Sequence, residues 1–236
     1  MRIDPVTTIA GGLDRAASAA TLPVAGLLFV TYLAVSYGTL GGVFVGLPTA
    51  VLSQRWWVLV AVLGGLVSLW MGAGLLTLYG HVVAARTLGP NLPGDRSPFT
   101  RRIGRAMAST VALAVLLGPL AVGGTLLAVV PGVAVGTLGA FAVVAIAVED
   151  RSTVDALERA WALGATDRVA TVLLGTLLAV GAAIMVVGAI LAIAVPVVGG
   201  LLRAALLTAV QCALVGIFVE ATLRLREIRD FEVRVE

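Results

Sequence analysis

Long apolar runs alternate along this chain with short stretches in which charge collects. The runs at 22–45, 56–80, 106–130, 133–148, 169–195 and 197–220 are nearly free of charge, and most reach the roughly 20 residues a helix needs to cross a bilayer. They predict six membrane-spanning helices. The stretches between them are amphipathic. Residues 3–20 place Val6, Ile9, Leu13 and Ala16 or Ala17 on one side and Asp4, Asp14 and Arg15 elsewhere, a pattern for a surface helix. Around 99–105, Phe99, Ile103 and Met107 oppose Arg101, Arg102 and Arg105, predicting a second, more basic surface segment. The run 149–168, EDRSTVDALERAWALGATDR, carries eight charged residues and predicts a third. Residues 222–236 form a charged tail.

The 149–168 run has its own helical grammar. Ser152 or Asp150 can cap the start, and Asp155 three residues after Ser152 approximates a capping box. Val154, Leu157 and Trp161 share one side at helical spacing, Asp155 and Arg159 are four apart, and Gly164 is placed to end the helix. Trp161 suits the headgroup level, where an amphipathic ring belongs. The candidate docking residues are Glu149, Leu157, Arg159, Trp161, Leu163 and Arg168. The alternative is a solvated connector whose charges only fix topology.

Small residues mark expected helix contacts. Gly38, Gly42 and Gly46 fall four apart, as do Gly64, Ser68 and Gly72, so spans one and two are expected to pack through these two smooth sides. Gly200, Ala204, Thr208, Cys212 and Gly216 make a longer stripe on span six. Pro48, Pro131-Gly132 and Pro196 predict three tight turns, and Pro119 predicts a kink in span three with room for a lipid chain or helix beside spans five and six. Asn91-Leu92-Pro93-Gly94 reads as a loop. Surface segment, span, turn and returning span thus recur three times in one orientation. A shift of 65 positions aligns Gly123 with Gly188, Leu126 with Leu191, Val130 with Val195 and Pro131 with Pro196.

Composition supports the membrane reading. The 236 residues are 60% hydrophobic and only 12% charged, against roughly 25% in soluble domains, and mean hydropathy is +1.08. One domain within the bilayer follows, with no cleavable leader expected, because the first apolar run is too long for one. Nearly all arginines fall on one side of the six spans; Arg55 and Arg203 alone lie opposite. Both termini and the loops 81–105 and 149–168 are therefore expected in the cytoplasm, and the protein in the cell membrane. No concentrated basic patch suggests nucleic acid. Cys212 is alone and can form no internal disulfide.

Candidate chemistry is sparse. One His cannot make a zinc site of the His-pair kind, and no cofactor is expected. Gly72-Ala73-Gly74 completes no dinucleotide fingerprint. Ser36 and Ser68 have no His partner at their depth, since His81 lies at a span end. The spans hold no ionisable residue near their centres, the usual mark of ion-coupled transport. Glu149 and Glu220 sit at span ends, where Arg151 and Arg224 can pair with them, and Gln211 deep in span six is placed for an interhelical hydrogen bond.

The run 147–168, AVEDRSTVDALERAWALGATDR, resembles a signature in a group of six-span membrane families that includes the membrane domain attached to some glycerophosphoryl diester phosphodiesterases. Glu149, Leu157, Arg159, Trp161 and Leu163 match its pattern, and Ala160 stands where a Ser is usual. The resemblance implies a six-span membrane part that is not itself the catalytic part. The expectation is an all-α, six-helix membrane bundle with short cytoplasmic interfacial helices. Its expected role is non-enzymatic, organising membrane lipid or a partner, whether another protein or a second copy, through the cytoplasmic side. The rivals are a permease or exporter component for an apolar or lipid-like substrate, and an enzyme acting on lipid headgroups.

Overall fold

The computed structural model describes residues 4–89, 99–100, 102–127 and 129–235. Among these it is almost entirely helical, with no strand. The helices are α1 (Pro5–Ala16), α2 (Leu22–Gly41), α3 (Leu47–Leu52), α4 (Trp56–Leu88), α5 (Ile103–Leu127), α6 (Val129–Glu149), α7 (Thr153–Thr166), α8 (Arg168–Ala194) and α9 (Pro196–Val235). Six helical segments are long and apolar enough to cross a membrane, α2 and α3 counting as one. An apolar solvent dictates this choice, because a helix satisfies its backbone donors and acceptors internally.

The bundle is built as a ring of three hairpins. The returning helices α4, α6 and α9 pack on one another at the centre, and α2, α5 and α8 lie outside them. Each outer helix touches its own partner and the returning helix of the preceding hairpin: α5 on α4, α8 on α6, and α2 on α9. The short segments follow the same rule. α7 packs on α6, α1 packs on α9, and the turn before α5 reaches α4 through the Tyr79 hydroxyl donating to the Phe99 carbonyl. Phe141 of α6 and Phe218 of α9 meet edge to face in the central triangle, with centroids 5.4 Å apart. Such a pair contributes about 0.5–1.5 kcal/mol beyond its buried area.

Glycine decides how α2 meets α4. A Cβ on Gly38 would collide with Leu69, one on Gly42 with Leu66, and one on Gly46 would crowd Val62. Lower down the roles reverse, and Leu28 of α2 fills the space beside Gly80 of α4. Branched side chains thus sit in glycine notches along the whole antiparallel contact. Gly64 and Gly72 do not take part as expected: nothing lies within 4 Å of a Cβ built on either. They lie off the line of α4's side-chain knobs, so span one's glycines receive side chains instead of a second glycine face. The long stripe on α9 is a packing face. Ala204, Thr208 and Cys212 are buried, Gly200 abuts the Tyr37 ring, and Gly216 abuts Gly12.

The turns differ from the expected ones. Pro48 opens no turn; it sits at the start of α3, which prolongs α2 through a π-helical stretch, Gly42–Gly46. The chain reverses at 53–55, where Gln54 has φ 54°. Pro131 and Gly132 lie in the first turn of α6, where a missing N–H costs no helical bond. Pro196 begins α9 and does mark a turn. Pro119 lies inside an unbroken α5 with its ring exposed, and α5 packs chiefly on α4, α6 and α7. Any space it makes is therefore away from spans five and six. The 99–105 segment is not a separate helix among the described residues: a turn leads directly into α5, although Phe99, Ile103 and Met107 do share its inward side. The 91–94 loop and Arg101 lie outside the described residues. The charged tail continues α9 to Val235.

Tight packing is concentrated at one end. Val82 to Ala85 of α4, Phe141 to Ala147 of α6 and Val215 to Val219 of α9 supply most of the core, at the end where α1 and α7 add their layer. Towards the hairpin turns burial falls, and the most apolar stretch of α4 is entirely unburied.

Candidate functional site

Both short helices are folded back along a returning span rather than laid flat. On α1, Thr7 meets Arg224, Gly11 faces Glu220, and Gly12 abuts Ile217 and Gly216. The contacts run in opposite directions along the two helices. α7 does the same against α6: it starts beside Glu149, and Gly164 reaches Leu138. The local sequence explains both starts. Asp4 caps α1 by accepting from the Val6 N–H, and Ser152 caps α7 by accepting from the Asp155 N–H while donating to the Asp155 carboxylate at 2.7 Å. Asp150, with φ 53°, provides the reversal between α6 and α7.

The buried side of α7 is Ala156, Ala160 and Leu163, all fully enclosed, with Leu157 half-buried against the core. Val154 and Trp161 point away, 65% and 68% exposed. The apolar stripe expected to bury is thus divided: alanines let α7 approach α6 closely, while Trp161 faces outward. Ala160 lies in this contact, where a hydroxyl would have needed a partner. α7 continues two residues past Gly164 to Thr166. α1 repeats the arrangement, with Thr8 and Gly12 buried and Val6 and Leu13 outward.

Each short helix is fastened at a carboxylate. Glu220 accepts from Arg15 Nε and from Arg224 Nε, both at 2.7 Å. Arg15 also donates to the Leu88 carbonyl at the end of α4, and Arg224 to the hydroxyl and carbonyl of Thr7. Glu149 is held by Arg151 and lies 3.8 Å from Arg159 of α7. Beside it, the fully enclosed side chain of Arg86 donates to the Ala147 carbonyl at 2.8 Å and to Asp150 at 3.1 Å. Sequence reasoning located the two glutamates but missed Arg86, because α4 runs past His81 and carries Arg86 into the core. His81 Nδ1 donates to the Thr77 carbonyl, and Nε2 lies 2.7 Å from Gln211, joining α4 to α9. Arg168 begins α8; its side chain lies outside the described residues.

Where α7 stops, a groove begins. It runs between residues 130–138 of α6 and 171–179 of α8, with Trp161, Gly164 and Ala165 at its upper end, and encloses about 680 Å³. Its threonine hydroxyls all donate to backbone carbonyls: Thr137 to that of Val133, Thr171 to those of Gly164 on α7 and Asp167 before α8, and Thr176 to that of Val172. Among the described residues no three His, Cys, Asp or Glu side chains form a group able to hold a metal. The chain matches no protein-family model, no curated protein and no solved structure.

Proposed function

We propose that this is a membrane protein that organises lipid, or a partner held through lipid, at the side where α1 and α7 lie. The observation that carries this reading is their common design. Each is fastened to a returning span by a carboxylate held between arginines, and each presents an outward apolar edge, Val6 with Leu13 and Val154 with Trp161. The excess of Arg at this end supports a cytoplasmic placement of both termini in the cell membrane. The ion pairs occupy Glu149 and Glu220, the two span-end carboxylates that a headgroup-directed enzyme would most readily use. A permease needs a polar path between α4, α6 and α9, and at the tightly packed end Phe141, Phe218 and the aliphatic side chains around them fill that space. The resemblance of 147–168 to the phosphodiesterase-linked membrane domains is in keeping with a non-catalytic membrane part. The test is extraction into polymer-bounded native discs, with lipids and proteins identified by mass spectrometry. A lipid class or protein enriched over bulk membrane, and lost in the Trp161→Ala, Val154→Ser double variant, is expected. Retained material matching bulk membrane in the wild type would sink the reading.

A further inference from the structure

The groove beyond the end of α7 has features that select its occupant. It continues the track of α7 along α6: the helix covers the half from Leu138 to Glu149, and the groove exposes the half from Val130 to Leu138. Eight residue steps on α6 or α8 make it about 12 Å long. A spanning helix from a partner or a second copy needs about 30 Å of hydrocarbon depth, and the end of α7 blocks that run. The groove is also too small for a standard protein interface, which takes roughly 800 Å² from each side. Its hydroxyls are already bonded to backbone carbonyls, so methyl and methylene groups face the space. A polar solute would find few partners there and would lose most of its hydration. At about 680 Å³ it falls in the range of small-ligand pockets. It opens sideways: Val130 and Val172 on its rim are 77% and 68% exposed, on helices long and apolar enough to cross a membrane.

We infer that this groove holds one acyl chain of a bilayer lipid, which passes the Trp161 ring on its way in. The inference rests on the lipid-organising reading and specifies where the hydrocarbon goes. An acyl chain suits the site because it is flexible, lacks hydrogen-bonding groups along its length and is already present at the opening. The enclosed end by α7 holds the chain in place, unlike the annular lipid around the other spans, and Trp161 reports on its presence.

The experiment uses the full chain with Trp56, Trp57 and Trp70 changed to Phe, leaving Trp161, in nanodiscs of phosphatidylcholine. Phosphatidylcholine brominated on its acyl chains is added in increasing proportion, and Trp161 fluorescence is read. A bound chain gives a quenching component that saturates at a low brominated fraction, whereas annular lipid quenches in proportion to that fraction. Ala134→Phe and Ala165→Phe, which project into the groove from α6 and α7, are expected to abolish the saturating component with unchanged thermal unfolding. Ala134→Ser keeps the space open and should preserve it. Proportional quenching in the wild type, or saturation that survives both Phe variants, overturns the assignment. So does disulfide-linked dimer from Val172→Cys in a Cys212→Ala background, which would make a second copy the occupant. Enrichment of a lipid class in native discs without saturating quenching would sink the groove alone and leave the broader reading standing.

Discussion

Gly12 of α1 and Gly216 of α9 meet backbone to backbone, and this contact gives a sharp mutational test of how α1 is held. A Cβ added at Gly12 would lie 2.4 Å from the Ile217 Cα and 2.7 Å from its backbone N, where ordinary contact begins at 3.4 Å. Backbone atoms cannot swing aside, so α1 must retreat by about 1 Å. That retreat stretches the Arg15–Glu220 and Arg224–Thr7 contacts, now at 2.7 and 2.6 Å. Two effects compete in Gly12→Ala. Alanine favours a helix by about 1 kcal/mol over glycine, and overpacking costs about 1–3 kcal/mol. The arginines are about one-third exposed, so their weakened pairs add little, at most about 1 kcal/mol each. The cost exceeds the gain, and the docked state of α1 loses roughly 1–2 kcal/mol, which is about a 5- to 30-fold shift towards undocking. Gly11→Ala is the matched control: the nearest atoms to its Cβ would be those of the Glu220 side chain, from 3.1 Å, rather than backbone, with the same propensity gain. Amide hydrogen exchange over 5–16 in nanodiscs should therefore rank Gly12→Ala well above Gly11→Ala in lost protection, with the spans unchanged. Wild-type protection in Gly12→Ala, or a larger loss in Gly11→Ala, would refute the idea that backbone contact seats this helix.

Other expectations concern different parts of the bundle. Arg86→Ala removes a fully enclosed cation and leaves Asp150 almost as deeply placed; breaking such a pair costs about 3–5 kcal/mol, so thermal unfolding in detergent should fall clearly, and an unchanged midpoint would mean that Arg86 is not carrying the junction of α4 and α6. For topology, Glu158→Cys and Gln54→Cys in a Cys212→Ala background should behave oppositely towards an impermeant thiol reagent added outside intact cells, with position 54 labelled and position 158 protected. The reverse pattern would invert the assigned orientation.

Much of the framework is legible in the chain because membrane helices announce themselves by length and apolarity. The six spans and the three-hairpin plan come from that signal. The small-residue spacings correctly pointed to the packing sides of α2 and α9. They misled for Gly64, Ser68 and Gly72, because spacing shows that a helix side is smooth without showing which side a neighbour takes. The prolines misled for a related reason. Proline is compatible with the first turn of a helix as well as with a break, so Pro48 and Pro131 lie just inside helices while Pro196 marks a true turn. In the candidate site, the carboxylate–arginine pairs at Glu149 and Glu220 were readable from charge at span ends. The fold-back of α1 and α7 was not, since an amphipathic pattern looks alike whether the helix lies on headgroups or stands against a span. Alanine and glycine carry that difference: they contribute little apolar weight to a pattern, yet they permit the closest packing.

The three-hairpin ring also has an order of construction. α7 is made immediately after α6, so its docking surface exists before it does. α1 is made before any span, and its partner Gly216 follows Gly12 by 204 positions. At roughly 5–20 residues per second, α1 waits on the order of 10–40 s for that surface to be synthesised. Throughout that interval Arg15 has no Glu220, and the Gly12 surface has nothing to meet. Two helices of the same design thus enter the bundle at opposite moments: α7 as a local extension of a span already made, α1 as the final closure that joins the first hairpin to the last.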